Sequence, residues 1–305
     1  LPHDAADAIR TLDEHWDGQG HPDGLRKTEI PLLARILGIA QTVEVFASRD
    51  GIDAAFDVAK QRSKTWFDPN LVRAFRATRK DTAFWAKFKD QNVREHVAAF
   101  EPEDRVMRAD QAMLDRIATA FGKVIDAKSP WTACHSQGVS DVAVGISTVL
   151  GQPTEEISRI RRAGLLHDIG KLGISNMILD KPGKLTSEEF EDMKLHPAYT
   201  LRILERASCF HEIADLAASH HERLDGKGYF RGLDAAALST SARTLVVADM
   251  YEALAAKRPY RKDLSEGEVF EILAKNAGAG ICPRVLDALK TFIASSGFVP
   301  YSAAA

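Results

Sequence analysis

With 305 residues, 45% of them hydrophobic and 27% charged, the chain can form one large domain or two ordinary ones and has the apolar content for a sizeable core. A formal net charge of −3 and a pI near 6.4 exclude a global electrostatic case for nucleic acid or membrane binding. Three scattered cysteines, Cys134, Cys209 and Cys282, exclude a disulfide framework and a thiolate zinc site, and they suit a reducing compartment.

No run approaches the roughly 18 apolar residues of a membrane span, and no signal peptide is visible. The expectation is therefore a cytoplasmic protein, with upstream sequence implied by a start at Leu1 rather than Met. In chain order, residues 1–75 read as helices around a glycine-rich loop, "WDGQGHPDGL" at 16–25. Residues 76–114 read as an amphipathic helical connection carrying Phe84, Trp85 and Phe88. From 115 to 305 the apolar residues recur at three- and four-residue intervals in "SDVAVGISTVLG", "TEEISRIRRAGLLHDIG", "TSEEFEDMKLHPAYTLRILERA" and "SARTLVVADMYEALAA".

Start signals accompany these runs: Thr154 before Glu155 and Glu156, Thr186 with Glu189 at capping-box spacing, and Ser265 before Glu266 and Glu268. Gly151 and Gly278 supply stops, and Pro153, Pro182 and Pro259 punctuate the connections. Two glycine-rich loops interrupt the helices, "KPGKL" at 181–185 and "LDGKGYFRGL" at 224–233. No convincing strand alternation is visible, so the predicted fold class is all-α.

The loop at 224–233 echoes the one at 16–25. An offset of 208 carries Asp17 onto Asp225, Gly18 onto Gly226, Gly20 onto Gly228 and Gly24 onto Gly232, and "ARILGIAQ" (34–41) onto "ARTLVVAD" (242–249). With about six residues inserted in the later copy, "FDPNLV" also matches "ICPRVL". The chain thus opens midway through a degenerate repeat. Leu12, Asp13, Gln41 and His21 stand in the early copy where the later one has His220, His221, Asp249 and Tyr229. The early copy is expected to hold no metal and to serve a structural or regulatory role.

His135, His167, His196, His220 and His221 lie on or at the ends of predicted helices in the later copy, with Asp168 beside His167. Asp249 sits among Val246, Val247, Ala248 and Met250, where a carboxylate needs a cation to be tolerated. Neutral imidazoles and carboxylates are ligands for zinc, iron, manganese and similar ions, and a helical bundle can converge them on one point. A lone helical histidine is usually an ordinary hydrogen-bonded residue, and His96 and His211 are assigned to that class. The ordered set as a whole points to a metal centre.

"SPWTACHSQGV", "LLHDIGKLGI", "ILDKPGKLTSEEFEDMKLHP", "SHHERLDGKGYFRGL" and "VADMYEALAAKRPYR" follow one another at spacings that resemble the HD-GYP family of cyclic dinucleotide phosphodiesterases. The resemblance covers roughly the last 60% of the chain, and the early half-repeat resembles a degenerate HD domain preceding a complete one. It implies an HD-type helical bundle with a metal centre in its core. The implied ligands are His135, His167, Asp168, His196, His220, His221 and Asp249, with Asp168 bridging two divalent ions. Iron is the first expectation for the metal, with manganese or zinc as alternatives.

By the same resemblance, Lys171 touches the scissile phosphate, and Tyr229, Arg258 and Arg261 contact the substrate. Three positions depart from the family pattern. Phe230 replaces the proline of Gly-Tyr-Pro, Trp131 stands where some members place a glutamate for a third metal, and Thr200 replaces a glycine, a change expected to be harmless. The implied activity is hydrolysis of cyclic di-GMP to pGpG in bacterial signalling, with a second step to GMP left open. The alternatives are a hydrolase for another cyclic nucleotide, such as a mixed cyclic dinucleotide, and a non-hydrolysing sensor or docking module. Expected partners are the cyclic dinucleotide, a second copy of the chain and a signalling protein.

Overall fold

The computed structural model describes residues 3–100, 109–129, 134–256 and 263–300, the side chain of Arg94 aside. It is helical, and the described residues contain no strand, only isolated bridges such as Ser63–Phe67 and Ala277–Ile281. No helix among them is long and apolar enough to cross a membrane. The chain divides into two compact units, residues 1–106 and 107–305.

Unit 1 contains α1 (His3–Arg10), α2 (Leu32–Asp50), α3 (Ile52–Gln61), α4 (Pro69–Ala77), α5 (Thr82–Phe88) and α6 (Val93–Ala98). Its core joins Ile39, Val43 and Ala47 of α2 to Ala55, Phe56 and Ala59 of α3, and closes over Trp85 of α5. Trp85 meets Phe56, Phe75 and Phe88 edge-on, an arrangement aromatic quadrupoles favour. The stretch 76–114, expected as a connection, is therefore divided. Its aromatic residues complete the core of unit 1, and its last residues begin the first helix of unit 2.

Unit 2 contains α7 (Gln111–Ala127), α8 (His135–Val149), α9 (Thr154–Leu166), α10 (Asn176–Leu179), α11 (Ser187–Met193), α12 (His196–Arg206), α13 (Ala214–Ala218), α14 (Thr240–Ala255), α15 (Glu266–Asn276) and α16 (Pro283–Ser296). The central helix α8 packs against α9, α14 and α16. Its small residues allow this. A Cβ on Gly164 of α9 would lie 2.7 Å from the Ser140 Cα, and one on Gly145 would run into the Phe292 ring of α16. Buried Arg162 ties α9 to α7 by donating to Asp115 at 2.6 Å. The capping boxes expected at Thr186/Glu189 and Ser265/Glu268 form. Thr154 does not cap: it is the first residue of α9, and Pro153 holds the cap position without a side-chain bond.

The repeat is visible atom by atom. Glu14 accepts backbone bonds from Asp23, Gly24 and Leu25, and Glu222, 208 residues on, accepts from Arg231 and Leu233, both at 2.8 Å. Gly18 and Gly24 have φ of +83° and +67°, and Gly226 and Gly232 have +71° and +66°, a region only glycine enters cheaply. Arg35 Nε donates to the Ile30 carbonyl and Arg243 Nε to that of Leu238, both at 3.0 Å. The bridges Ser63–Phe67 and Ala277–Ile281, and the proline starts of α4 and α16, keep the second offset of 214. The copies differ on one face. Ile9, Leu33, Ile36 and Leu37 are 40–58% exposed, whereas their counterparts Ala217, Ser241, Thr244 and Leu245 are buried in unit 2, where α8 and α9 pack on α13 and α14.

Candidate metal centre

Six elements of unit 2 deliver its side chains to one buried point. His135 opens α8, a start held by Asp126, which accepts from the Ser136 amide at 3.1 Å and from its hydroxyl at 2.7 Å. His167 closes α9, and the chain then tightens into a 3-10 turn over Ile169–Gly173 that presents Asp168 and Lys171. His196 opens α12, His220 and His221 follow α13, and Asp249 lies in the middle of α14. The turn lies directly against α12: a Cβ on Gly170 would collide with the His196 carbonyl. Thr200 joins the two, donating to the His167 carbonyl at 2.8 Å and accepting from the Gly170 amide at 3.0 Å.

The donors form two groups around Asp168. Its Oδ2 faces His167 Nε2 at 3.3 Å and His135 Nε2 at 3.7 Å, and Asp249 Oδ1 closes that side at 3.3 Å from His135 Nε2. Its Oδ1 faces His196 Nε2 at 3.4 Å and His220 Nε2 at 3.7 Å. His221 completes the second side, its Nδ1 3.9 Å from Asp249 Oδ2. The triplets His135–His167–Asp249 and His196–His220–His221 each bring their ligand atoms within 4.8 Å of one another.

Tautomers make the case for a cation. His167, His196 and His220 each hold Nδ1 2.7 Å from a backbone carbonyl, those of Gly164, Met193 and Ala217. A carbonyl can only accept, so each Nδ1 carries the proton and each Nε2 points a lone pair inward. His196 and His220 then bring their Nε2 atoms 3.0 Å apart. Burial lowers His196 to about 3 and His220 well below its ordinary value, so neither ring holds a second proton to bridge that gap. Buried His167 Nε2 and Asp168 Oδ1 have no hydrogen-bond partner, a costly state that a divalent ion relieves. The residues present therefore fit a pair of divalent cations, in a donor set suited to iron, manganese or zinc.

The electrostatics differ between the sides. Burial opposes charge on His135 and His167, but Glu252 and Asp249 raise the first to about 10 and Asp168 raises the second. The His196–His220–His221 side stays neutral. Burial lowers His221 to about 4, keeping it a neutral donor. Burial opposes ionisation of Asp168, but Lys171 and the surrounding imidazoles hold it well below the usual carboxylate range. Burial likewise opposes ionisation of Asp249, yet His135 and its neighbours hold it low. Lys171 Nζ reaches Asp168 Oδ2 at 2.5 Å with 22% of its side chain exposed. Tyr229 lies beside the cluster with its ring centroid 4.6 Å from that of His221, and burial followed by Asp249 and Asp168 drives its hydroxyl pKa upward, keeping it a donor. Phe230 packs under the Arg231 guanidinium, 5.3 Å from its ring centre.

Two residues had less signal in the sequence. Glu252 is buried on α14 one turn beyond Asp249 and accepts from His135 Nδ1. Its only sequence mark is an acid three residues from another acid in an apolar helix. Thr200, expected to be a neutral replacement, ties the Asp168 turn to α12. Arg258, Arg261 and Trp131 lie outside the described residues. In unit 1, Leu12, Asp13 and Gln41 instead line a cavity of about 240 Å³ with Trp66 and Phe46.

A family model for the HD domain matches residues 2–71 and 120–285. The chain belongs to the HD domain family. The matched stretches fall in both copies of the repeat, and the HD-GYP assignment and the all-α HD fold are borne out. An HD domain relative, the 3′3′-cGAMP-specific phosphodiesterase 3 of Vibrio cholerae, is 41% identical over 285 residues, 93% of this chain and 62% of that protein. A cyclic di-GMP phosphodiesterase of Thermotoga maritima is 38% identical over 156 residues, 50% of this chain and 42% of that protein. The chain thus spans less than two thirds of the length of these relatives. A crystal structure of a cyclic GMP-AMP specific phosphodiesterase from V. cholerae shares the fold at a TM-score of 0.62 and 36% identity, over 97% of this chain and 68% of that one.

Proposed function

We propose that this HD domain protein is a metal-dependent phosphodiesterase that opens a cyclic dinucleotide to its linear form. The observation that carries the reading is the pair of donor triplets facing opposite oxygens of Asp168. His135, His167 and Asp249 would hold one ion and His196, His220 and His221 the other, with Asp168 serving both. Two divalent cations held there would supply an acidified water and polarise the phosphoryl group.

The chain's own residues do the rest. Lys171 sets its ammonium against Asp168 at the edge of the cluster, its side chain partly exposed, where it can neutralise charge gathering on a non-bridging phosphoryl oxygen. Tyr229 offers an aromatic face and a protonated hydroxyl beside His221, suited to a nucleobase or phosphate there. The imidazole tautomers are fixed beforehand by backbone carbonyls, so no reorganisation of the donor set is needed when substrate arrives.

For the substrate we favour the mixed dinucleotide 3′3′-cGAMP over the cyclic di-GMP first expected from the sequence, because the relative matching 93% of this chain is named for cGAMP. Iron remains our first choice of metal and unit 1 our choice for a structural or regulatory part, a role consistent with Leu12, Asp13 and Gln41 at the ligand positions. The test loads metal-stripped protein with Fe²⁺, Mn²⁺ or Zn²⁺ and supplies 3′3′-cGAMP, cyclic di-GMP or cyclic di-AMP in turn. Linear product from cGAMP at the highest rate is expected. A preference for cyclic di-GMP reverses the substrate order, and tight binding without product under every metal replaces the enzyme with a sensor.

A further inference from the structure

The two sides of the centre are built differently. His167, His196 and His220 lean on neutral backbone carbonyls, whereas His135 leans on the Glu252 carboxylate. Glu252 is 1% exposed, and α8 has made space for it. A Cβ on Gly138, one turn after His135, would stand 2.8 Å from the Glu252 Cγ. The same side also holds Asp249 Oδ1, so two carboxylate oxygens and a carboxylate-backed imidazole gather there. The His196–His220–His221 side shares Asp168, meets Asp249 Oδ2 only at 3.9 Å from His221 Nδ1, and otherwise offers neutral imidazoles, of which His221 is 30% exposed.

From this asymmetry we propose that Glu252 is a positioning residue: by orienting His135 and strengthening it as a donor, it makes the His135–His167–Asp249 position bind its cation more tightly than the His196–His220–His221 position. The inference rests on the metal-centre reading above. A carboxylate behind a ligating imidazole fixes the ring and raises its basicity, and losing such a partner costs about 10- to 100-fold in metal affinity. The weaker position includes the partly exposed His221 beside Tyr229, so the readily exchanged cation is the one on that side.

The experiment strips the full chain with chelator and titrates it with Mn²⁺ by calorimetry. The native chain is expected to take up two equivalents in two resolved steps. Glu252→Gln keeps the shape and removes the charge, and should weaken the tighter step by about 10- to 100-fold while leaving the other unchanged. Glu252→Asp keeps a carboxylate and should recover part of the loss, a difference from Gln that a purely structural role would not produce at equal helicity. Gly138→Ala, which crowds Glu252 from the other helix, should reproduce the Gln result if Gln itself misfolds. In a His196→Ala background the one remaining equivalent should be the step that Glu252→Gln weakens. A helical Glu252→Gln protein with both native affinities overturns the proposal, whereas a native chain that takes up no Mn²⁺ overturns the metal-centre reading itself.

Discussion

Asp168 turns one oxygen to each half of the cluster and is 2% exposed, so no water can substitute for it on either side. Asp168→Asn removes the shared charge and puts an amide among lone pairs. Elemental analysis should then find less than one bound divalent ion per chain, and turnover should vanish, with helicity kept. Lys171→Met separates holding metal from using it: the ion content should stay native while kcat falls about 10²- to 10³-fold, the usual cost of one donor to transition-state charge. Thr200 contributes differently, through two hydrogen bonds that no solvent can replace. Thr200→Val orphans the His167 carbonyl and the Gly170 amide, and denaturant unfolding should show a loss of about 1–3 kcal/mol, largely recovered in Thr200→Ser.

Among the elements, the loop after α13 shows how main chain and side chain share the work. Glu222, next to the His220–His221 pair, gathers the Arg231 and Leu233 amides and so closes the loop that carries Gly228, Tyr229 and Phe230. Glu222→Gln halves the acceptor capacity. Charge-assisted bonds of this kind contribute about 1.5–3 kcal/mol each, so stability should drop by that order while KM rises more than kcat falls, because Tyr229 loses its fixed place. The histidines that converge on Asp168 were legible in the sequence because their spacing and neighbours recur as motifs around helix ends. Glu252 was not, since an acid at i+3 on a helix reads equally well as a solvated face, and only the approach of α8 at Gly138 decides between them. Thr154 misled for a related reason: Pro153 already sets the entry angle of α9, so the hydroxyl has no cap to make.

At the scale of the whole molecule, the repeat was legible first from glycine positions, and then from the helical stretches beside them, because positive φ at Gly18, Gly24, Gly226 and Gly232 leaves the sequence little freedom. The extent of unit 1 was not, because the aromatic run around Trp85 has the composition of an amphipathic linker and becomes core only when Phe56 and Phe75 meet it. The groups of His, Cys, Asp and Glu able to hold a metal among the described residues all lie in unit 2. Chelator should therefore lower only one of two thermal transitions in a calorimetric scan, that of residues 107–305, since a ligand stabilises only the part that binds it. A shift of both transitions together would show that the units unfold as one.

Gly170 sets a further constraint on this architecture. Because bare backbone of the Asp168 turn rests on the first residue of α12, the interval between the two sets of donors is gauged by main-chain contact rather than by any side chain. A single methyl group there would act as a shim, prising apart partners that both need the same aspartate. Tuning the proposed centre for a larger or smaller ion therefore belongs at that seam, not at the histidines.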